Sequence, residues 1–146
     1  MPDTSAPLPL SAIPGMSSGQ PGGTLSERMG MEFLEIAAER TVARIPVAGN
    51  TQPYGLLHGG ASAVLAESVG SVAAAVHAGA DRIAVGVDLS ATHHRAVREG
   101  WVTGVATPLS LGRSVASYEI VVRDDDGRRV CTARLTCMLR DRAPGA

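Results

Sequence analysis

The chain predicts an α+β fold in which one long helix covers one face of an antiparallel sheet, and three observations carry that prediction. Residues 58–77 form one long apolar and small-residue stretch with helical spacing, closed by Gly79. After Asp81-Arg82 the sequence reads as strand in four successive segments, 83–92, 101–109, 115–123 and 128–140. The last two are joined by Asp124-Asp125-Asp126-Gly127, a hairpin signal whose glycine can take a positive φ. One apolar helix followed by consecutive strands buries its surface by laying the helix on the sheet.

The elements follow in chain order. Residues 1–24 hold five prolines, four glycines and no basic residue. They lack the positive start and unbroken apolar run of a signal peptide. The segment reads as a disordered N-terminal tail, and Met16, Met29 and Met31 are alternative start positions. The ordered domain is expected over 25–140, with a short tail over 141–146. It opens with two strand-like segments, 32–38 and 41–47, joined at Glu39-Arg40. A loop over 48–57 carries the breakers Asn50, Pro53 and Gly55. In the helix, Ala61, Val64, Leu65, Ser68, Val69, Val72 and Val76 recur at helical spacing, while Ala63, Ala66, Gly70 and Ala74 make the opposite side small. Both sides can pack, so the helix should be largely buried. In the final strand Val130, Thr132, Arg134 and Thr136 alternate with Cys131, Ala133, Leu135 and Cys137. Six residues of strand separate the two cysteines by roughly 20 Å, far beyond the disulfide limit of about 7 Å. They read as reduced core thiols, consistent with a cytoplasmic protein.

Composition removes several function classes. The formal net charge is −1, with pI about 6.4 and Phe33, Tyr54, Trp101 and Tyr118 as the only aromatics. That is neither a basic footprint for nucleic acid nor a set of stacking platforms for bases. Every one of the 13 basic residues is arginine, so a Schiff-base lysine is excluded. No apolar run reaches the roughly 18–20 residues of a bilayer span, because Glu67, Ser68 and Ser71 interrupt the helix that comes nearest. No phosphate loop or dinucleotide fingerprint is present. Ser62 lacks the second glycine of a nucleophile elbow. His93-His94 has no third metal ligand near it, so no metal is expected. The two histidines point to opposite strand faces, so at most one enters a site.

The remaining signal is Glu67, the one formally charged residue between Arg44 and Asp81. No basic residue lies a helical turn away to pair with it, and burying a lone carboxylate is costly. Chemistry explains it better than stability does. Eight residues earlier, Gly59-Gly60 opens the helix, where backbone N–H groups and the positive helix end suit an anion or a transient oxyanion. Ser71 lies one turn beyond Glu67 on nearly the same face. A carbonyl held at the glycine end is then open to attack by water or by the carboxylate itself.

The combined spacing Gln52-x5-His58-Gly59-Gly60-x6-Glu67-x3-Ser71, with Asp88-Leu89-x3-His93-His94-Arg95 and Leu111-Gly112-Arg113-Ser114 downstream, closely resembles the hotdog-fold acyl-CoA thioesterases. The branch is PaaI-like, including the EntH-type and 4-hydroxybenzoyl-CoA thioesterases, and the resemblance runs from about Leu25 to Leu139. It implies a sheet wrapped around one central helix and hydrolysis of a CoA thioester without a cofactor. It implies Glu67 as general base or nucleophile, the Gly59 amide as oxyanion donor, Gln52 beside the thioester and the attacking water, and Ser71 as an assisting hydroxyl. His58 and His93 match active-site histidines. Gly60, Arg95 and the Leu111-Gly112-Arg113-Ser114 turn match segments lining the CoA channel, and Gly86 allows close approach on the neighbouring strand. The resemblance further implies a homodimer, and plausibly a dimer of dimers, in which each site takes Glu67 from one subunit and Gln52, His58 and Gly59 from the other. Gln52 with Glu67 favours aryl- or arylacetyl-CoA substrates, since some PaaI-type members carry Asn and Asp there. Ala96 departs from the proline that many relatives place after His-His-Arg. Alternatives are a housekeeping thioesterase for medium-chain acyl-CoAs, a non-catalytic acyl-CoA-binding module, which has no need of Glu67, and a hydratase, whose Asp/His motif is not found.

Overall fold

A computed structural model describes residues 6–13, 15, 16 and 19–145. A short helix α1 (Leu25–Arg28) precedes the strands β1 (Glu32–Glu35) and β2 (Thr41–Pro46). The long helix α2 (Gly59–Ala78) follows, and then β3 (Arg82–His93), β4 (Trp101–Leu111), β5 (Val115–Asp124) and β6 (Arg129–Asp141). The strands form one six-stranded sheet in the order β1-β2-β4-β5-β6-β3, with every neighbouring pair antiparallel. This is the expected hotdog arrangement, one long helix held against a curved antiparallel sheet.

Alternation builds the core. On β6, Cys131, Ala133, Leu135, Cys137 and Leu139 are buried while Arg134, Met138 and Arg140 face out. Both cysteines are free thiols, fully buried. Gly127 closes the β5–β6 hairpin with φ +77°, and its N–H and those of Asp126 and Arg128 are all taken by Asp124.

Both sides of helix α2 pack, as expected. Ala61, Leu65, Val69 and Val72 of the branched stripe and Ala66, Gly70 and Ala74 of the small side are buried, while Ala63, Val64, Ser68 and Val76 are only half-buried. Close approach to the sheet makes this possible. A Cβ at Gly70 would sit 2.6 Å from Leu135 Cδ2 on β6, and one at Gly104 would sit 3.0 Å from Leu65 Cγ. Glycine at both contacts lets helix and sheet come together at a distance that a larger residue would prevent. By length and mean hydropathy of 1.4, α2 could cross a membrane, contrary to the expectation of no such run. Here ten of its residues are buried within the protein instead.

Two features bear on the site. The disordered tail expected over 1–24 is, in its described part, attached to the body. Leu8 N–H donates to the Phe33 carbonyl at 2.7 Å, residues Leu10–Ala12 make a 3₁₀ turn, and Ile13 is 1 % exposed within the core. One buried isoleucine in a Pro/Gly-rich stretch suffices to dock it. Residues 1–5, 14, 17, 18 and 146, covered by the two tail expectations, lie outside the described residues. At the other end of the sheet, β3 pairs with β6 and, among the described residues, with no other strand, so its outer edge is open over twelve residues. Val85 and Val87 on it are 44 % and 56 % exposed. A long, apolar, open edge is a template for another strand.

Candidate active site

The loop before α2 is built to fix the helix start. Asn50 Nδ2 donates to the Met29 and Pro46 carbonyls at 2.9 and 2.8 Å, and the Asn50 carbonyl accepts the His58 N–H at 2.9 Å. Leu57 N–H bonds to the Val97 carbonyl, tying the loop to the segment after β3. The Gln52 side-chain oxygen accepts the Tyr54 N–H.

His58 is the N-cap of α2. Its Nδ1 accepts the Gly60 N–H at 2.8 Å, and its carbonyl accepts the Ala61 and Ser62 N–H groups. Three of the four N–H groups at the helix start are thereby satisfied. The fourth, on Gly59, has no acceptor among the described residues. It opens into a groove of about 400 Å³ lined by Gln52, Leu57, Gly59, His93, Arg95 and Val130 among others. A Cβ at Gly59 would lie 3.0 Å from His93 Nε2, and one at Gly60 2.9 Å from His58 Nδ1. The two glycines therefore make room for two imidazoles, one beside the free amide and one capping its neighbour. His94 meets the Thr132 hydroxyl at 2.9 Å and, contrary to the expectation that at most one of the two histidines enters the site, lines the same groove as His93 and Gly59.

Glu67 sits two helical turns further on, about 12 Å along the axis. Its carboxylate lies directly over the backbone of Gly86, at the point where β3 bulges between Gly86 and Asp88, and a Cβ there would fall on Glu67 Oε1. Across the sheet, Gly86 pairs with Cys137. Burial pushes the Cys137 thiol up to about 11. The Ser71 hydroxyl bonds to it and opposes the rise, while the Glu67 carboxylate adds to it. Glu67, Ser71 and Cys137 thus share one small region, with the thiol held protonated and out of the chemistry. None of the ion pairs among the described residues includes Glu67. Glu67 and Ser71 line a second cavity, of about 450 Å³.

The structure sorts the expected residues into two groups. Gln52, His58, Gly59, Gly60, His93 and Arg95 lie at the helix start. Glu67, Ser71 and Gly86 lie at the other stretch of β3, and the Leu111–Ser114 turn belongs with them. That turn is fixed there because the Gly112 carbonyl bonds His77 at 2.7 Å, Arg82 reaches the Arg113 carbonyl, and the Ser114 carbonyl takes the Leu139 N–H. A Cβ at Gly112 would lie 2.6 Å from the Val115 carbonyl oxygen, so the turn needs glycine. Gly86 and His93 are seven residues apart on one strand, roughly 20 Å. The two cavities have no residue in common. Within one chain the carboxylate and the free amide do not meet. The spacing along the helix gave no sign of this separation.

A larger groove, of about 660 Å³, lies between Arg98, Glu99 and the Asp124–Asp126 hairpin. None of the expected site residues lines it, and three of its charges are paired with one another, Arg128 with Asp124 and Asp126. It is the wrong place for the chemistry. Among the described residues no cluster of three His, Cys, Asp or Glu has the arrangement to hold a metal ion.

Comparison with known proteins assigns the family. The profile of the thioesterase superfamily matches residues 54–131, which include Gly59, Glu67, Ser71 and Gly86. The chain is 49 % identical over 115 residues to the proofreading thioesterase EntH of Cronobacter turicensis, covering 78 % of this chain and 84 % of that protein. The EntH of Cronobacter sakazakii is 47 % identical over the same shares. Among solved structures, thioesterase HI1161 of Haemophilus influenzae superposes with TM-score 0.78 at 35 % identity, covering 81 % of this chain and 83 % of that one. A mutant of thioesterase PA1618 from Pseudomonas aeruginosa gives TM-score 0.78 at 38 % identity, covering 82 % and 87 %. The chain belongs to the thioesterase superfamily, and is a hotdog-fold thioester hydrolase of the EntH-like kind.

Proposed function

We propose that the thioesters it cleaves are acyl-CoAs, aryl or arylacetyl groups foremost, and that the working unit is a homodimer with composite sites. The observation carrying this reading is the separation of Glu67 from the Gly59 amide on a chain whose β3 edge is open. Two copies of β3 pairing antiparallel about a two-fold axis near the strand's middle bring the Gly86 end of one copy to the His93 end of the other. Glu67 then faces the Gly59 amide of the partner subunit. The twelve-residue edge is covered at the same time. A second pairing, through the exposed sheet face bearing Leu109 and Val115, extends dimers to tetramers.

The chemistry follows from those positions. The thioester carbonyl oxygen points at the partner's Gly59 N–H, which stabilises the negative charge of the tetrahedral intermediate. Glu67 takes the proton of an attacking water or attacks the carbonyl carbon itself. As base, Glu67 takes a proton from the water that forms the new C–O bond, the C–S bond breaks, and CoA leaves as thiol with that proton. As nucleophile, Glu67 displaces CoA thiolate to give a mixed anhydride. Water hydrolyses the anhydride to the acid and free Glu67, while a proton of that water goes to the thiolate. Gln52 and His93 stand beside the free amide, where a thioester and its water must lie. Ser71 stands one turn from Glu67. Arg95 at one half-site and the Arg113 turn at the other offer positive charge to the phosphates of CoA. The two buried free thiols suit a reducing cytoplasm.

The aryl preference rests on Gln52 with Glu67; Gly70 and Ala74 are filled against the sheet and add no room for the ring. Steady-state kinetics with benzoyl-, phenylacetyl-, hexanoyl- and palmitoyl-CoA test it. The expected order places the two aryl esters first. A tenfold preference for palmitoyl-CoA, about 1.4 kcal/mol in transition-state binding, contradicts the aryl assignment and leaves thioester hydrolysis in place. Equal, broad activity with hexanoyl-CoA in the lead supports the medium-chain reading instead.

A further inference from the structure

The cavity containing Glu67 is closed by residues that lie far outside the stretch matching the thioesterase superfamily. Its walls include Ile13, Met16 and Gln20 from the N-terminal segment, Phe33 from β1, and Ser71 and Val72 from α2. On helix α2, Glu67, Ser68, Ser71 and Val72 line the same cavity as Ile13, Met16 and Gln20. The fold therefore places the carboxylate between the sheet edge and this segment.

Three contacts hold the segment there. Leu8 N–H bonds to the Phe33 carbonyl at 2.7 Å, adding a short bridge at the β1 edge. Ile13 is 1 % exposed and belongs to the core. Gly15, at φ +72°, lies against the Arg142 guanidinium so closely that no side chain fits. The Met16 N–H then turns back onto the Ile13 carbonyl at 3.1 Å. Ile13 is thus an anchor. Met16 is a different kind of residue, 40 % exposed and free of the core while its side chain borders the cavity. An unbranched thioether in that position adapts to the shape of an apolar guest.

We infer that the described N-terminal residues Ile13, Met16 and Gln20 form a strap along the outer wall of the acyl pocket, and that Met16 sets which acyl groups reach Glu67. The inference rests on the reading of Glu67 as the reacting carboxylate. A volume of about 450 Å³, with Ile13, Met16, Phe33 and Val72 as its apolar walls beside Gln20, Thr24, Ser26, Ser68 and Ser71, takes an acyl group whose carbonyl end meets Glu67. An apolar cavity of about 150 Å³ already takes a benzene ring. The space suits a ring or a medium chain, and the strap stops a longer one.

The test measures kcat/KM of the full-length protein for acetyl-, hexanoyl-, phenylacetyl- and palmitoyl-CoA in the wild type and in Met16→Trp, Met16→Ala and Glu67→Gln. Met16→Trp is expected to lower kcat/KM for phenylacetyl- and hexanoyl-CoA at least tenfold, while acetyl-CoA, which needs little of the pocket, changes less than twofold. Met16→Ala is expected to raise palmitoyl-CoA relative to acetyl-CoA. An unchanged acyl profile in both Met16 variants overturns the strap inference alone, provided Glu67→Gln is inactive. If Glu67→Gln stays active, the site lies elsewhere, and the strap inference falls with the assignment of Glu67. Should Met16→Trp not fold, the Met16→Ala profile decides, because removing side-chain atoms from an exposed wall leaves the Ile13 anchor in place.

Discussion

Replacing Glu67 by Gln is expected to lower kcat by at least ~10³-fold with an unchanged melting temperature and assembly state. The two side chains have the same size, so the cavity and the contact with Gly86 are kept. What is lost is the negative charge and the basic oxygen, which either accepts the proton of water or forms the bond to carbonyl carbon. No ion pair is lost with it among the described residues, because Glu67 is in none. Most buried or half-buried carboxylates cannot be changed without loss of stability, since their charge is paired or capped. This one can. Steady-state rates alongside thermal unfolding give both halves of the result. A well-folded Glu67→Gln protein that keeps most of its activity contradicts the assignment.

The second large effect is expected from Gly59→Pro. Proline at the first position of a helix is well tolerated, because its missing N–H has no intrahelical acceptor there. The residue before it must be extended, and His58 already is, at φ −67° and ψ 131°. The cap from His58 Nδ1 to the Gly60 N–H is untouched. A Cβ at Gly59 lies 3.0 Å from His93 Nε2, so the imidazole has to give by a few tenths of an ångström. The substitution therefore removes one hydrogen-bond donor and little else. Loss of a single oxyanion donor costs kcat roughly 10²–10³-fold, and that is the expected loss here, with KM changed much less. A Gly59→Pro enzyme of normal kcat would remove the free amide from the mechanism.

Legibility in the sequence tracked the range of the interactions involved. Helix α2 was expected over 58–77 and runs Gly59–Ala78, because Gly59-Gly60 and Gly79 mark its ends within the chain. The four late strands were likewise expected to within two or three residues, since alternation and the Asp124–Gly127 turn are local signals. β1 is shorter than expected, ending at Glu35, where its pairing with β2 slips by a residue. Glu67 could be singled out by its isolation among uncharged residues. Three other features depend on what lies across space. Helical periodicity marked both sides of α2 for packing, but it could not show that Gly70 meets Leu135 on β6. Prolines and glycines hid the docking of residues ahead of Thr24, which depends on one side chain, Ile13, meeting a core assembled later. Counting eight residues from Gly59 to Glu67 also cannot show that β3 holds the two apart, one beside His93 and one over Gly86. That separation requires the strand pairing, and it turns a plausible single-chain site into two halves.

The composite site is the central claim, and mixing the two inactive variants tests it most directly. Glu67→Gln and Gly59→Pro chains are unfolded together in equal amounts, refolded, and assayed with phenylacetyl-CoA beside each parent treated alone. If each site takes its carboxylate from one subunit and its oxyanion amide from the other, every mixed pair contains one fully intact site, and activity returns to about a quarter of the wild-type value. If both groups act within one chain, every site in the mixture carries one of the two lesions. Activity that stays at the level of the parents, with mixed dimers demonstrably present, contradicts the account.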